Sequence, residues 1–352
     1  MGCGNDRLPV RPLPSPNWRL EPLAGWHLPL LGDPAFLPLQ QVLQRAALLG
    51  LPQQLLQRLG LGRTLAAQVV VAFAEHSQTV LGLVVSRPLN RSGSCWQVQH
   101  LRTTRRDLRS ELSADLLKAA IARANASSWV AAAASDDRAL LGGLREQGFQ
   151  PLRQDQLWCL APPNAIVSAG AGSIGELQLK PLNRRTAAQL WHLEQAACPA
   201  QLRQILDRRI DDLLAQSQGL GWMLIDPARD VAVAAVRWQG DHPGGGQDLE
   251  LTVHPGWEHL HGQALQCLLH QASQQWPSSP LWVRSDPYDS TRQTWLQAIG
   301  AQQRGERVLM ARSLWRRQAS AEHQLQANRR LEAVLAQLQP GRRPVPTPLL
   351  RR

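Results

Sequence analysis

Leu251-Thr252-Val253-His254-Pro255-Gly256-Trp257 decides how this chain is read. Its alternating apolar residues stop at a proline and a glycine, so a half-buried strand ends there and a turn follows. Just beyond, Leu265, Leu268, Leu269 and Ala272 recur at helical spacing and predict a helix from about Gly262 to Gln275. Upstream, Glu176 to Pro181 reads as a strand and Ala187 to Gln216 as helix with a break at Pro199. Trp222 to Ile225, Val231 to Trp238 and Asp248 to Val253 read as strands. Gly244-Gly245-Gly246 lies between two of these strands, so it is a flexible hairpin loop and no phosphate cradle. Downstream come a strand at Leu281 to Val283, a helix carrying Trp295, Leu296 and Ile299 that ends at Gly300, and a closing strand from Arg307 to Leu314.

The N-terminal half has the same order. Strands are predicted at Trp18 to Leu23, Leu65 to Ala74, Val80 to Ser86 and Trp96 to Leu101, with broken helical patterns between Asp33 and Leu59. A helix capped by Ser113 carries Leu116, Leu117, Ala120, Ile121 and Ala124 on one face. Trp129 to Ala134 reads as a buried strand. Asp136 and Asp137 open a helix with Leu140, Leu141 and Leu144 that Gly148 ends, and Gln150 to Leu160 follows as a strand or hairpin. Val80 aligns with Val231, Gly148 with Gly300 and Trp158 with Met310, a shift of 151–152 positions, which means two copies of one unit. The mixed order predicts an α/β fold, an α+β mixed sheet with at least one parallel crossover. The expected plan is a Pro-rich lead-in (1–18), a first domain (19–161), a linker (162–175), a second domain (176–316) and a C-terminal helix with an Arg/Pro-rich tail (317–352). On that last helix Leu331, Val334, Leu335 and Leu338 form an apolar stripe suited to docking on the second domain or on a partner helix.

At 352 residues, 43% hydrophobic and 18% charged, the composition excludes a mainly disordered chain. The 38 basic and 27 acidic residues leave a net charge of +11, nearly all from arginine, since lysine occurs only at Lys118 and Lys180. Such basicity permits a weak RNA or acidic partner through the Arg-rich tail without requiring one. Five scattered cysteines with no CxxC spacing give neither a disulfide framework nor a structural zinc site. No HExxH or carboxylate-rich spacing accompanies His254, His259, His261 and His270, so no metal site is expected. No apolar run reaches the roughly 18–20 residues that span a bilayer, and Asp6 stands where a myristoylation signal wants Ser or Thr. The expectation is a cytoplasmic protein without a membrane partner, its 13 tryptophans used for core packing rather than base stacking.

The duplicated order resembles the GNAT-type N-acetyltransferase superfamily. Leu251 to Trp257 and the helix after it are similar to the family's strand ending "L-x-V-x-P-x-[YW]". Asp136-Asp137-Arg138-Ala139-Leu140, with Leu144-Arg145-Glu146-Gln147-Gly148-Phe149, is similar to its "N-x-x-A…Y-x-x-x-G-F" helix and turn. The likeness covers roughly residues 19–160 and 176–316. It implies two tandem GNAT-like acyltransferase domains with degenerate acetyl-CoA loops, each built to hold acetyl-CoA between splayed central strands. By the same resemblance Leu251 and Val253 would face the pantetheine arm, Gly262, Gln263 and Ala264 the phosphates, and Asp289 the place of a pantetheine-contacting Asn. In the first copy the corresponding residues are Leu101, Thr103, Arg105, Arg106, Arg109 and Ser110.

The departures from that pattern set two readings against each other. Glu258 stands where the family has Arg or Gln; at an effective dielectric of about 20, two like charges 4 Å apart cost on the order of 4 kcal/mol. The first copy's loop, Arg102 to Ser110, has no glycine, although its four arginines suit a phosphate. Leu144 and Leu296 replace the tyrosine that protonates the departing thiolate. The chain's one tyrosine, Tyr288, is either a substitute acid or a half-buried structural residue. Strand alternation puts Glu250, Thr252 and His254 on one face, so Glu250 and His254 are the candidate bases, or Glu250 is an ordinary exposed strand residue. The leading expectation is transfer of acetyl from acetyl-CoA to an unidentified small-molecule or protein amine. The alternative is a catalytically degenerate GNAT-fold interaction or scaffold protein with weak nucleic-acid contact.

Overall fold

The computed structural model describes residues 18–48, 66–104, 109–124, 126–162 and 174–313. Residues 1–17 of the expected lead-in, 163–173 of the expected linker, Arg105 and Arg106, and the whole of the expected C-terminal helix and tail fall outside them. The first half runs β1 (Trp18–Pro22), two 3₁₀ turns, α1 (40–48), β2 (Gln68–Ala74), β3 (Val80–Pro88), β4 (Cys95–Thr103), α2 (Arg109–Arg123), β5 (Ser128–Ala134), α3 (Arg138–Glu146) and β6 (Gln150–Leu160). The second half runs β7 (Gln178–Pro181), α4 (Ala187–Ala197), α5 (Ala200–Leu206), α6 (Ile210–Gln216), β8 (Gly221–Asp226), β9 (Val231–Asp241) and β10 (Gln247–Val253). A 3₁₀ turn (Pro255–Leu260), α7 (Gln263–Ser273), β11 (Leu281–Ser285), α8 (Ser290–Ala298) and β12 (Gln302–Ser313) complete it.

Local chemistry repeats with the order. α3 and α8 start on Asp137 and Asp289, whose carboxylates accept from the N–H groups of Leu140 and Arg292. Both helices end on left-handed glycines, Gly148 at φ 80° and Gly300 at φ 83°. After each glycine the next N–H closes back onto the helix, Phe149 to the Leu144 carbonyl and Ala301 to that of Leu296. The helical stretch expected from 187 to 216 is broken twice rather than once. Besides Pro199, Asp207 adopts φ 43°, a conformation Asp tolerates better than most residues, and its carboxylate accepts from Ser94 Oγ at 2.7 Å. That second break turns Arg208 out of the helical row.

All twelve strands form one mixed sheet, ordered β1-β2-β3-β4-β5-β12-β6-β11-β10-β9-β8-β7. The last strand of each copy lies in the sheet of the other, β12 beside β5 and β6 beside β11. Asp155 and Arg307 are register partners in the antiparallel β6–β12 pair and lie 152 positions apart, the shift that relates the copies. The pseudo-twofold axis of the chain therefore passes through that pair. Equivalent contacts follow on either side: Trp282 faces Cys159 as Val130 faces Ala311.

Apolar burial holds the exchange in place. Val70 and Ala72 face the core under α2 and α3, while Val69, Val71 and Phe73 face the core under the 3₁₀ turns and α1. A strand buried on both faces reads as a continuous apolar run, as Val69 to Ala72 does. Leu202 and Leu206 of α5 pack on Leu89, Cys95 and Val130 of the first half and on Ala311 of β12. Trp129 and Trp158 are fully buried, whereas Trp26 is 59% exposed and takes no part in a core. No helix among the described residues is long and apolar enough to cross a membrane.

Cutting the backbone within 163–173 at an inserted protease site is expected to leave the halves associated, because β6 and β12 remain embedded in each other's sheets. Size-exclusion chromatography of the nicked chain checks this: one peak at the intact mass is expected, and two separate halves would refute the exchange.

Candidate functional site

The copies each contain one parallel strand pair, and both pairs part. β4 and β5 pair from Cys95↔Ser128 to Val98↔Ala131, after which β4 runs on to Thr103 without β5. β10 and β11 pair only at Gln247↔Leu281 and Asp248↔Trp282. Beyond that point Glu250–Val253 and Arg284–Ser285 diverge, and a cavity of about 240 Å³ opens among them, the start of α8 and the α4–α5–α6 connections. Because the last strands are exchanged, β6 of the first copy supplies Arg153 and Asp155 to this wall. A second cavity of about 350 Å³ adjoins it across Glu194, Cys198, Leu206 and Arg208.

The walls are charged and largely paired. Arg237 of β9 is 1% exposed, and its one bonded nitrogen donates to Glu194 at 2.8 Å and to Glu250 at 2.6 Å. Gln239 also donates to Glu250, at 2.7 Å, and Thr252 Oγ1 to Glu194 at 3.3 Å. Burial alone would push the Glu250 carboxyl up, but Arg237, Arg208, Arg284 and Arg153 together hold it at about 2. A carboxylate so bound stays ionised and does not take a proton near neutrality. Asp155 is shared by Arg153 at 2.7 Å and Arg307 at 3.3 Å, and Asp248 binds Arg284. Burial and the nearby Glu194 and Glu250 charges push the Cys198 thiol up to about 11, so it is no nucleophile.

Arg292 is the residue that the strand divergence brings forward. It sits on the first turn of α8, and its Nη2 reaches across the gap to the Leu251 carbonyl at 2.7 Å. Its Nε is buried without a partner, and burial lowers its pKa to about 10 despite Asp289 nearby. In strand geometry the Leu251 N–H shares the direction of its carbonyl, so the hydrogen-bonding edge that β10 turns toward the gap is bridged by this side chain.

The residues expected from sequence are placed unequally. Glu250, Leu251, Val253 and Asp289 line the cavity. Gly262, Gln263 and Ala264 form the start of α7, where a Cβ on Gly262 would meet nothing within 4 Å. His254 does not join Glu250: its ring accepts from the Gly256 N–H at 3.1 Å and caps the 3₁₀ turn, as residue 254 already lies past the strand end. Tyr288 is neither half-buried nor in the cavity wall; it is 94% exposed in the turn before α8. Leu101 packs on the first core, Thr103 ends β4 opposite Gly82, and Arg109 and Ser110 begin α2. Sequence reading missed Arg153, Glu194, Arg208, Arg237 and Arg292. Only the last carried a usable signal, because Arg292 falls three positions after Asp289, where the "N-x-x-A" pattern has a small residue.

Replacing Arg237 by Met leaves Glu194 and Glu250 without their bonded cation, a loss of about 3–5 kcal/mol on the scale of broken buried pairs; urea unfolding at pH 7 checks it. Glu250, a quarter exposed, falls from an ordinary 4.5 to about 2 on folding. A depressed carboxyl stabilises above its unfolded pKa and loses that share as pH falls through the folded one, a share on the order of 3 kcal/mol. The stability gap between the wild type and Glu250→Gln is therefore expected to be full above about pH 5 and to shrink toward pH 2. A gap independent of pH would contradict the assignment.

No family model matches the chain, and no curated protein matches it by sequence. Solved structures do match. A tandem GNAT protein from the clavulanic acid biosynthesis pathway is 14% identical over 85% of this chain and 99% of its own, with a TM-score of 0.52. A Drosophila structural-genomics protein is 13% identical over 84% of this chain and 99% of its own, with a TM-score of 0.50. A GCN5-related N-acetyltransferase from Sphaerobacter thermophilus is 11% identical over 74% of this chain and 85% of its own, with a TM-score of 0.45. With its duplicated order and paired strand gaps, the chain has the mixed α/β fold of tandem GNAT proteins.

Proposed function

We propose that the second half is an N-acyltransferase site that moves acetyl from acetyl-CoA to an amine held in the 240 Å³ cavity. The observation that carries this reading is the divergence of β10 and β11 onto that cavity. Open space at Gly262, the unpaired first N–H groups of α7 and the gap-facing edge of β10 suit the phosphate and amide ends of the cofactor. Acetyl-CoA supplies the activated thioester. The amine nitrogen attacks its carbonyl carbon, the thiolate departs, and the proton released from nitrogen passes through water at the cavity mouth to a carboxylate. Glu250 is not the base, because its carboxylate is held by Arg237 and Gln239. Asp286, exposed on the same wall, is the carboxylate placed to accept the proton.

Arg292 supports a second reading. Its bond to Leu251 closes the edge that a pantetheine amide would use, which suits a fold kept for interaction after loss of catalysis. Titration calorimetry with CoA and acetyl-CoA separates the two. Binding at one site per chain is expected, and Arg292→Ala is expected to tighten it about fivefold to tenfold by freeing the carbonyl, the worth of one net hydrogen bond. Absence of binding at millimolar ligand, in both wild type and variant, would sink the transferase reading and leave the scaffold one.

A further inference from the structure

Every carboxylate on the wall of the second-half cavity accepts a hydrogen bond, whereas two of its guanidiniums hydrogen-bond no carboxylate among the described residues. Asp155 is held by Arg153 and Arg307, and Glu194 and Glu250 share Arg237. Asp286 accepts the Tyr288 N–H, and Asp289 accepts that of Arg292. By contrast Arg208, only 14% exposed, makes no hydrogen bond to any described residue; its nearest charged contact is Glu194, 3.7 Å away. The Arg208 and Arg292 Nε atoms are both buried without a partner, and the one bond of the Arg292 guanidinium goes to a neutral carbonyl. A guanidinium withdrawn from water costs free energy until its N–H groups are matched, and a planar anion matches them two at a time. Two such groups on one small cavity suit a planar anion.

We propose that this cavity binds a small ligand through a carboxylate or phosphate lying between the guanidiniums of Arg208 and Arg292. Taken with the proposed transferase reading, on which this part rests, the acceptor is an amine that also carries an acid group. The charge layout fits such a molecule at both ends, since Asp286, exposed on the same wall and paired with no cation among the described residues, suits its ammonium. The size fits as well: about 240 Å³ lies below the roughly 300–1,000 Å³ of pockets for drug-sized ligands. The two unmatched arginines come from the α5–α6 connection and from α8, so the ligand would fasten the helical cover to the open gap.

The test is titration calorimetry on the full chain without acetyl-CoA, using inorganic phosphate, L-glutamate and 1,4-diaminobutane as probes. At least one of the two anionic probes is expected to bind, the tighter naming the group recognised, and the diamine is expected to bind at least tenfold more weakly. Arg208→Met is expected to weaken the anionic probe at least tenfold, while Arg184→Met, on an exposed residue away from the cavity, leaves it unchanged. Should Arg208→Met lose its cooperative thermal transition, Arg208→Lys, which keeps the charge and loses the fork, is expected to weaken binding at least threefold. The proposal is overturned if neither anion binds the folded protein at millimolar concentration, if the diamine binds as tightly, or if the Arg208 variants bind like wild type. Anion binding without acetyl-CoA binding would support the site while removing the transferase reading; the reverse would do the opposite.

Discussion

The exchange of last strands about the Asp155–Arg307 pair is the constraint on which the rest of this molecule depends. Two copies of a unit could have folded side by side with a linker between them. Here β6 and β12 pair with each other and then with the opposite copy, so one sheet runs across both. Each half is thus completed by a strand coded 152 positions away. At the centre of the extended sheet the axis residue of one copy faces its own counterpart, and Asp opposite Arg pairs where two like charges would repel. Arg153 shares the Asp155 carboxylate, and through it the axis is tied to the cavity wall.

The gap in each parallel pair and the exchange act together. A parallel pair that stops after two registers leaves backbone groups that water, a ligand or a side chain must satisfy. In the second half a side chain does so, since Arg292 donates to the Leu251 carbonyl. The same gap exposes the polar face of β10, where Glu250 and Thr252 meet Glu194 and Arg237. Burying those charges is tolerable because Asp155, Glu194 and Glu250 each have an arginine. The two guanidiniums left over therefore carry more information than the many that are paired.

Much of the fold was legible in the sequence because it rests on local rules. The period of apolar residues located the strands, Asp136 and Asp137 marked one helix start, and Gly148 and Gly300 marked the ends of two helices. The near-constant shift between the copies revealed the duplication. The strand exchange was not legible, because β6 and β12 have the same pattern whichever neighbour they join. The break at Asp207 was missed because an αL residue other than glycine leaves little trace in composition, and with it went Arg208. Of the residues singled out in the sequence, Glu250, Leu251, Val253 and Asp289 fall on the cavity wall. The chemistry of that wall was not legible, since whether Glu250 is free or clamped depends on Arg237, 13 positions away on another strand. His254 failed as its companion because alternation ends where the strand does.

The central claim is that the second half keeps a ligand-binding cleft between β10 and β11, and amide hydrogen exchange of the full chain with and without acetyl-CoA tests it most directly. Slowed exchange confined to 249–253 and to the first turn of α7, with 95–103 unchanged, is the result expected. Identical exchange in both states, or protection in the first half alone, would contradict it.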